Sequence, residues 1–173
     1  KKVLNSWNNF LKEEKEKSID SLRHPKLTKE KHRRRLKETP SIIKIDAEEI
    51  PDLKFPKNSS NTTKSEIRSV MYSMISKDRM STELLHETDK NPIEMFYKLL
   101  DKNKVKYDKV FLEKIYKDVA IIVLKLKVKY SRPRPEVLGP QLGFDLASIK
   151  TDTDNTPAFP SGHTSQAWTM AMF

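Results

Sequence analysis

The chain has 173 residues, which is enough for one domain with a hydrophobic core or for one domain with an appendage. Charged residues make up 34% of it and the mean hydropathy is -0.72, so part of the length is expected to pack poorly. The net charge of +10 favours anionic partners. The absence of cysteine excludes disulfides, and four scattered histidines argue against a zinc site.

Residues 1–56 are polar and rich in charge, and we predict a charged N-terminal extension or connector. The run Lys26–Thr39 carries seven basic and two acidic residues. A solvated helix face or a flexible arm is the favoured interpretation, and a patch for nucleic acid or acidic lipid is the alternative. No aromatic residue interrupts the run, which weakens the nucleic-acid interpretation.

Residues 57–173 contain the helix signals. Thr63 and Glu66 have the spacing of a capping box, and apolar residues follow at helical spacing: Ile67, Val70, Met71, Met74 and Ile75. Asn91 with Pro92 and Glu94 predicts a second helix start, with one apolar face: Ile93, Phe96, Tyr97 and Leu100.

A third helix is predicted from about Asp108 to Tyr130. Its last six residues alternate in a way that also suits a strand, but an uninterrupted helical stripe favours a helix: Leu112, Ile115, Tyr116, Val119, Ile122, Val123, Leu126 and Tyr130. The longest apolar run, Val119–Leu124, is far shorter than the roughly 20 residues that span a bilayer. The predicted fold class is all-α, a partial helical bundle.

The first stretch that indicates chemistry is Lys125–Pro135. It contains Lys-x6-Arg-Pro in two registers, Lys125 with Arg132 or Lys127 with Arg134. Helical geometry places Lys127 nearer to the apolar stripe. Like charges brought together at a helix end favour an anion between them, and a phosphate suits both donors. The alternative is a pair of surface charges beside a proline-rich turn.

The second stretch is "FPSGHTSQ", residues 159–166. Pro160 and Gly162 are expected to form a tight turn, and Ser161 is expected to cap a helix whose first N–H groups can bind an oxyanion. A glycine at position 162 would let a tetrahedral anion reach those groups. His163 at the rim suits a general acid, and the alternative is a structural histidine at a helix start.

These two stretches resemble the signatures of the type 2 phosphatidic acid phosphatase superfamily, which includes bacterial acid phosphatases and vanadium-dependent haloperoxidases. The resemblance covers about Lys57–Phe173. It implies a phosphate site formed by Lys127, Arg134, Ser161 and Gly162, with Arg132 in a secondary role. It also implies that His163 protonates the leaving oxygen.

A third signature of that superfamily, Ser-Arg-x5-His-x3-Asp, does not occur among the 173 residues. It would supply a nucleophilic histidine. The chain starts without methionine and stops at Phe173 in an apolar helical pattern, so we expect a fragment that is cut at both ends and is inactive alone.

The resemblance therefore implies a hydrolase of a phosphate ester or diphosphate that works through a phosphohistidine intermediate, without a metal or other cofactor. The substrate would be a phosphorylated small molecule or a lipid phosphate. One alternative is a haloperoxidase with vanadate in the same pocket. Another is a non-catalytic basic protein that binds nucleic acid or a lipid surface. The lack of a signal peptide favours a cytoplasmic location.

Overall fold

The computed structural model describes residues 2–75, 82–146 and 155–173. All regular structure within these ranges is α-helical, which confirms the predicted all-α class. The helices are α1 Lys2–Ser21, α2 Glu30–Leu36, α3 Asn61–Ile75, α4 Thr82–Lys90, α5 Pro92–Lys102, α6 Lys109–Tyr130, α7 Pro135–Gln141 and α8 Gly162–Ala171. Within the described ranges no helix combines the length and apolar character that crossing a membrane requires.

Helices α5 and α6 begin where the local sequence predicts a helix start. Asn91 is the N-cap of α5 and Pro92 is its first residue. The Asp108 carboxylate accepts a hydrogen bond from the backbone N–H of Phe111 at 3.0 Å and caps α6. Helix α6 continues to Tyr130 and ends at Ser131, whose φ of 49° is left-handed, so the helix interpretation of residues 125–130 is confirmed.

The cap predicted at Thr63 was wrong. Helix α3 begins at Asn61, and the Ser60 hydroxyl accepts from the backbone N–H of Thr63 at 3.2 Å. Thr63 is buried and donates its hydroxyl to the Lys57 carbonyl at 2.8 Å. Ser60 takes the capping role because it lies one residue before the helix, where a side-chain oxygen can reach the N–H groups of the first turn.

The apolar stripe predicted on α3 is only partly a core face. Ile67 is 3% exposed, whereas Val70 is 39% and Ile75 is 72% exposed. Helix α7 packs against α3, and its Leu138 contacts Ile67. Periodicity alone cannot show how far along α3 such a neighbouring helix extends.

Contacts divide the chain into two compact units, which we call unit 1 and unit 2. Unit 1 contains residues 1–24, 53–79 and 132–149. Its core consists of Ile19, Ile67 and Leu138, and Leu22, Leu142, Phe144 and Leu146 pack around them. The Asn58 side chain is buried and donates to the carbonyls of Ile19 and Leu22 at 3.0 and 3.2 Å, which satisfies the end of α1.

Unit 2 contains residues 25–52, 80–131 and 150–173. Helix α6 is its centre. One cluster joins Ile115, Val119 and Val123 of α6 to Met170 of α8. A second cluster joins Ile122 and Leu126 to Ala47. Apolar residues therefore cover more than one side of α6, and burial extends beyond the predicted stripe to Ile121 and Leu124.

Residues 1–56 contribute more to these cores than their composition indicates. Ile19 belongs to the core of unit 1, and Ala47 belongs to that of unit 2, where Ile42 and Ile43 also pack. The contacts divide this stretch between the two units. Composition averages over the charged runs and conceals these few buried apolar positions.

A buried carboxylate fixes part of this segment. Asp118 of α6 is 2% exposed, and its oxygens accept from the backbone N–H groups of Ser41, Ile42 and Ile43 at 2.8, 2.6 and 3.0 Å. Burial alone would raise the pKa of Asp118, but these hydrogen bonds outweigh it and hold the pKa below its usual range. The segment 41–43 is therefore tied to α6 by a charge.

We predict that Asp118→Asn lowers the free energy of unfolding at pH 7 by about 2 kcal/mol, because hydrogen bonds to a charged acceptor are lost. The folded-state pKa is depressed, so this stabilisation is complete above the unfolded pKa of about 3.9 and is lost as the pH falls through the folded-state value. Urea unfolding between pH 7 and pH 2 should show the difference between the two proteins shrinking in acid. Glu48→Gln, at an exposed residue of the same segment, is the control, and an equal loss there would contradict the prediction.

Candidate functional site

Lys127 and Lys125 have different surroundings in the last turns of α6. Lys127 is 8% exposed, and its ammonium donates to the backbone carbonyl of Pro157. The ammonium of Lys125 lies 3.9 Å from the Asp46 carboxylate, and its side chain is 26% exposed. The helical geometry that placed Lys127 nearer to the interior is thus confirmed, while its role in binding phosphate stays a prediction.

The loop before α8 is held against the end of α6. Besides the Lys127–Pro157 hydrogen bond, the rings of Tyr130 and Phe159 have centroids 5.5 Å apart. Both contacts involve the last turn of α6 and the four residues before Ser161. They fix the start of α8 relative to the buried ammonium.

Helix α8 then runs back along α6. The Gln166 side chain donates to the Tyr116 carbonyl at 3.3 Å, and the ring of Phe173 packs edge-on against Phe111 at 5.5 Å between centroids. Later residues of α8 thus meet earlier residues of α6, so the two helices are antiparallel. The N-terminal end of α8 consequently lies towards the C-terminal end of α6, where Lys127 is.

Ser161 is the N-cap of α8, as predicted. Its hydroxyl accepts from the backbone N–H of Thr164 at 3.4 Å, and its carbonyl accepts from Ser165 at 3.1 Å. The first N–H groups of any α-helix lack partners within the helix, and they form the positive end of its dipole. This end of α8 therefore suits an anion.

Gly162 has no structural reason to be a glycine. A Cβ placed on it would have no other protein atom within 4 Å, and its φ lies outside the left-handed region. Gly162 is the first residue of α8, and its backbone is compatible with any L-residue. The position that a side chain would occupy at this residue is open.

His163 faces a carboxylate that sequence analysis did not associate with it. Its Nε2 lies 3.8 Å from Oδ1 of Asp89, in the last turn of α4. The His163 side chain is 43% exposed and that of Asp89 is 11% exposed. The two residues are far apart in the sequence, and no spacing rule connects a residue late in one helix to the start of another.

Asp89 also acts on the phenol of Tyr116 in α6. Burial raises its pKa, a hydrogen bond with Gln166 and the positive charge of Arg35 oppose that rise, and the negative charge of Asp89 adds to it. Arg35 lies in the last turn of α2, which packs on α6. The basic run at residues 26–39 thus supplies a cation to the surroundings of α8, which its composition alone did not indicate.

Arg132 and Arg134 belong to unit 1. The Arg132 guanidinium is 2.9 Å from the Glu66 carboxylate, 3.3 Å from the Thr63 hydroxyl and 5.4 Å from the ring centre of Phe55. Arg132, which the sequence predicts as a secondary phosphate ligand, is therefore already paired with a carboxylate. Arg134 is the residue before α7, and its carbonyl accepts from Leu138 at 3.0 Å. Phosphate binding by either arginine stays a prediction.

A cleft of about 410 Å³ lies at the junction of α4 and α5, and none of the predicted site residues lines it. Its walls are mostly charged and include Glu87, Lys90, Glu94 and Lys98. Glu87 and Lys98 form an ion pair at 3.5 Å across it. Such a pair of exposed side chains contributes little stability.

Comparisons of the chain with protein-family models, with curated proteins and with solved structures give no match.

We predict that Gly162→Ala leaves the chain as stable as the wild type or raises its free energy of unfolding by about 0.5 kcal/mol, because alanine restricts the unfolded chain more and meets no atom in the folded one. Thermal unfolding measures the change. Gly143→Ala is the matched control, since Gly143 has a φ of 83° and a side chain there is strained. A loss of stability at position 162 comparable to that at 143 would show that Gly162 is structural.

Proposed function

We propose that unit 2 binds the phosphoryl group of a phosphate ester or diphosphate and contributes to its hydrolysis, in the manner of the type 2 phosphatidic acid phosphatase superfamily. The observation that carries the proposal is the buried ammonium of Lys127, hydrogen-bonded to the loop that leads directly into the N-terminus of α8. This loop therefore connects a full positive charge with the N–H groups at the start of α8.

An oxyanion gains from both groups for different reasons. The ammonium supplies a charge that burial shields from water, which strengthens its attraction for an anion. The amides of Gly162 and His163 supply directional donors at the positive end of α8. Gly162 has no side chain, and no other protein atom lies within 4 Å of the position that its Cβ would occupy, which favours the close approach of a tetrahedral anion.

His163 would act as the general acid. As the bond between phosphorus and the leaving oxygen breaks, its electrons remain on that oxygen, which takes a proton from the imidazolium. The side chain is 43% exposed, so a substrate can reach it. The nucleophilic histidine that the resemblance implies is not among the 173 residues, so these residues supply phosphate binding and proton donation. The substrate would be a phosphorylated small molecule or a lipid phosphate.

We predict that Lys127→Met weakens the binding of orthovanadate at least tenfold. Vanadate is the probe because it is a tetrahedral oxyanion like phosphate, and methionine keeps the length of the lysine side chain without its charge. A single charge-assisted hydrogen bond is worth about 1.5–3 kcal/mol, which corresponds to tenfold or more in affinity. Isothermal titration calorimetry of the wild type and the variant would measure the change.

Lys125→Met is the matched control for this experiment, because Lys125 lies on the same helix and pairs with Asp46. We expect it to alter the dissociation constant less than twofold. Circular dichroism checks that both variants keep their helices. Absence of vanadate binding by the wild type, or equal losses in the two variants, would overturn the phosphate site.

We predict that, in a chain that also carries the third signature, His163→Ala lowers the turnover of alkyl phosphates by at least 100-fold and lowers that of p-nitrophenyl phosphate far less. A general acid contributes about 10²–10⁴-fold, and its contribution grows with the negative charge that develops on the leaving oxygen. Alkoxide needs the proton, whereas p-nitrophenolate leaves readily without it. Steady-state kinetics with the two substrates would measure the difference.

The two substrates serve as controls for each other. A residue that only binds phosphate would weaken the hydrolysis of both alike, because both carry the same phosphoryl group. Equal losses would therefore assign His163 to binding or to structure, and the general-acid role would be abandoned.

A further inference from the structure

We propose that Asp89 is a positioning residue for His163. Its carboxylate faces the N–H of Nε2 and leaves Nδ1 to face the bound phosphoryl group. The inference deepens the proposed function and rests on it for the role of His163. The geometry behind it, an imidazole of α8 against a carboxylate of α4, belongs entirely to unit 2.

The placement of Asp89 favours such a role. Its side chain is 11% exposed, so its charge is less screened by water than that of a surface carboxylate. It lies in the last turn of α4, at the negative end of the helix dipole, where a carboxylate is disfavoured and gains from a cation beside it. An imidazolium formed at His163 would be such a cation.

The α4–α5 junction holds Asp89 in place. The backbone N–H of Asn91 donates to the Glu87 backbone carbonyl at 3.2 Å, which closes the turn between the two helices. On the other side, the Gln166 side chain anchors α8 to α6 one helical turn after His163. Two fixed helices thus present the carboxylate and the ring to each other.

The separation of 3.8 Å between Nε2 and Oδ1 is longer than a hydrogen bond. Catalytic contacts are often long in unliganded proteins and shorten when the substrate binds. A carboxylate facing Nε2 keeps a proton on that nitrogen and fixes the ring orientation. Nδ1 then carries the proton that is transferred, and after transfer the neutral ring retains its Nε2 proton opposite Asp89.

The decisive measurement is the pair of ¹⁵N chemical shifts of the His163 ring in the histidine-labelled chain, recorded at a pH at which the ring is neutral. The wild type should show Nε2 protonated and Nδ1 unprotonated, which gives a large difference between the two shifts. In Asp89→Asn the two nitrogens should share the proton more evenly, so the difference should shrink. Asp89→Glu should restore most of it.

Glu87→Gln is the matched control, since Glu87 lies on the same helix and pairs with Lys98 instead. It should leave the ring shifts unchanged. A shift difference that is the same in the wild type and in both Asp89 variants would overturn the proposal. If Asp89→Asn fails to fold, as judged by its amide spectrum, Asp89→Ser takes its place, because it also removes the carboxylate. A shift difference in Asp89→Ser equal to that of the wild type would then overturn the proposal.

In a chain that also carries the third signature, turnover gives the second readout. Asp89→Asn should lower kcat for alkyl phosphates about tenfold with an unchanged KM, a smaller loss than that of His163→Ala. A change confined to KM would contradict a positioning role. A wild type that does not bind vanadate would refute the proposed function alone, since the ring shifts test the Asp89–His163 pair independently of any substrate.

Discussion

The burial of two charges on one apolar helix is the constraint on which unit 2 depends. Asp118 and Lys127 are 2% and 8% exposed in α6, and an unsatisfied buried charge would cost several kcal/mol. Backbone groups satisfy both, since three N–H groups of residues 41–43 bind the carboxylate and the Pro157 carbonyl binds the ammonium. Two segments without regular structure are thereby fixed to α6. One of them belongs to the charged N-terminal region, and the other sets the start of α8.

Much of this arrangement is local and could be read from the sequence. Caps depend on residues within one turn, so Ser161 was identified correctly as the cap of α8, and the start of α6 was placed correctly near Asp108. The burial of Lys127 follows from its angle to the apolar stripe of a long helix, because 3.6 residues per turn fix that angle. At α3 the same local reasoning placed the cap three residues too late, since Ser60 and Thr63 are both good capping residues and only the structure decides between them.

The remaining features pair residues that are distant in the sequence. No periodicity connects Asp118 to residues 41–43, Asp89 to His163 or Glu66 to Arg132. Glu66 shows the difficulty well, because its spacing from Thr63 indicates a capping box, yet its carboxylate binds a guanidinium of residue 132 instead. A long-range partner therefore replaced the local one. The same limit hid the contribution of residues 1–56, whose few buried apolar side chains are outnumbered by charged ones.

The candidate site combines charges of both signs, and their balance decides what it can hold. Asp89 attracts an imidazolium at His163 but repels a phosphoryl group, so an anion binds only if the donors on the other side outweigh that carboxylate. Lys127 offsets it with a full charge, and the amides at the start of α8 add roughly half a charge more. Near Tyr116, the positive charge of Arg35 opposes the negative charge of Asp89. His163 would then lie between a carboxylate and a phosphoryl group, which offer a hydrogen-bond acceptor to each of the two nitrogens of its ring.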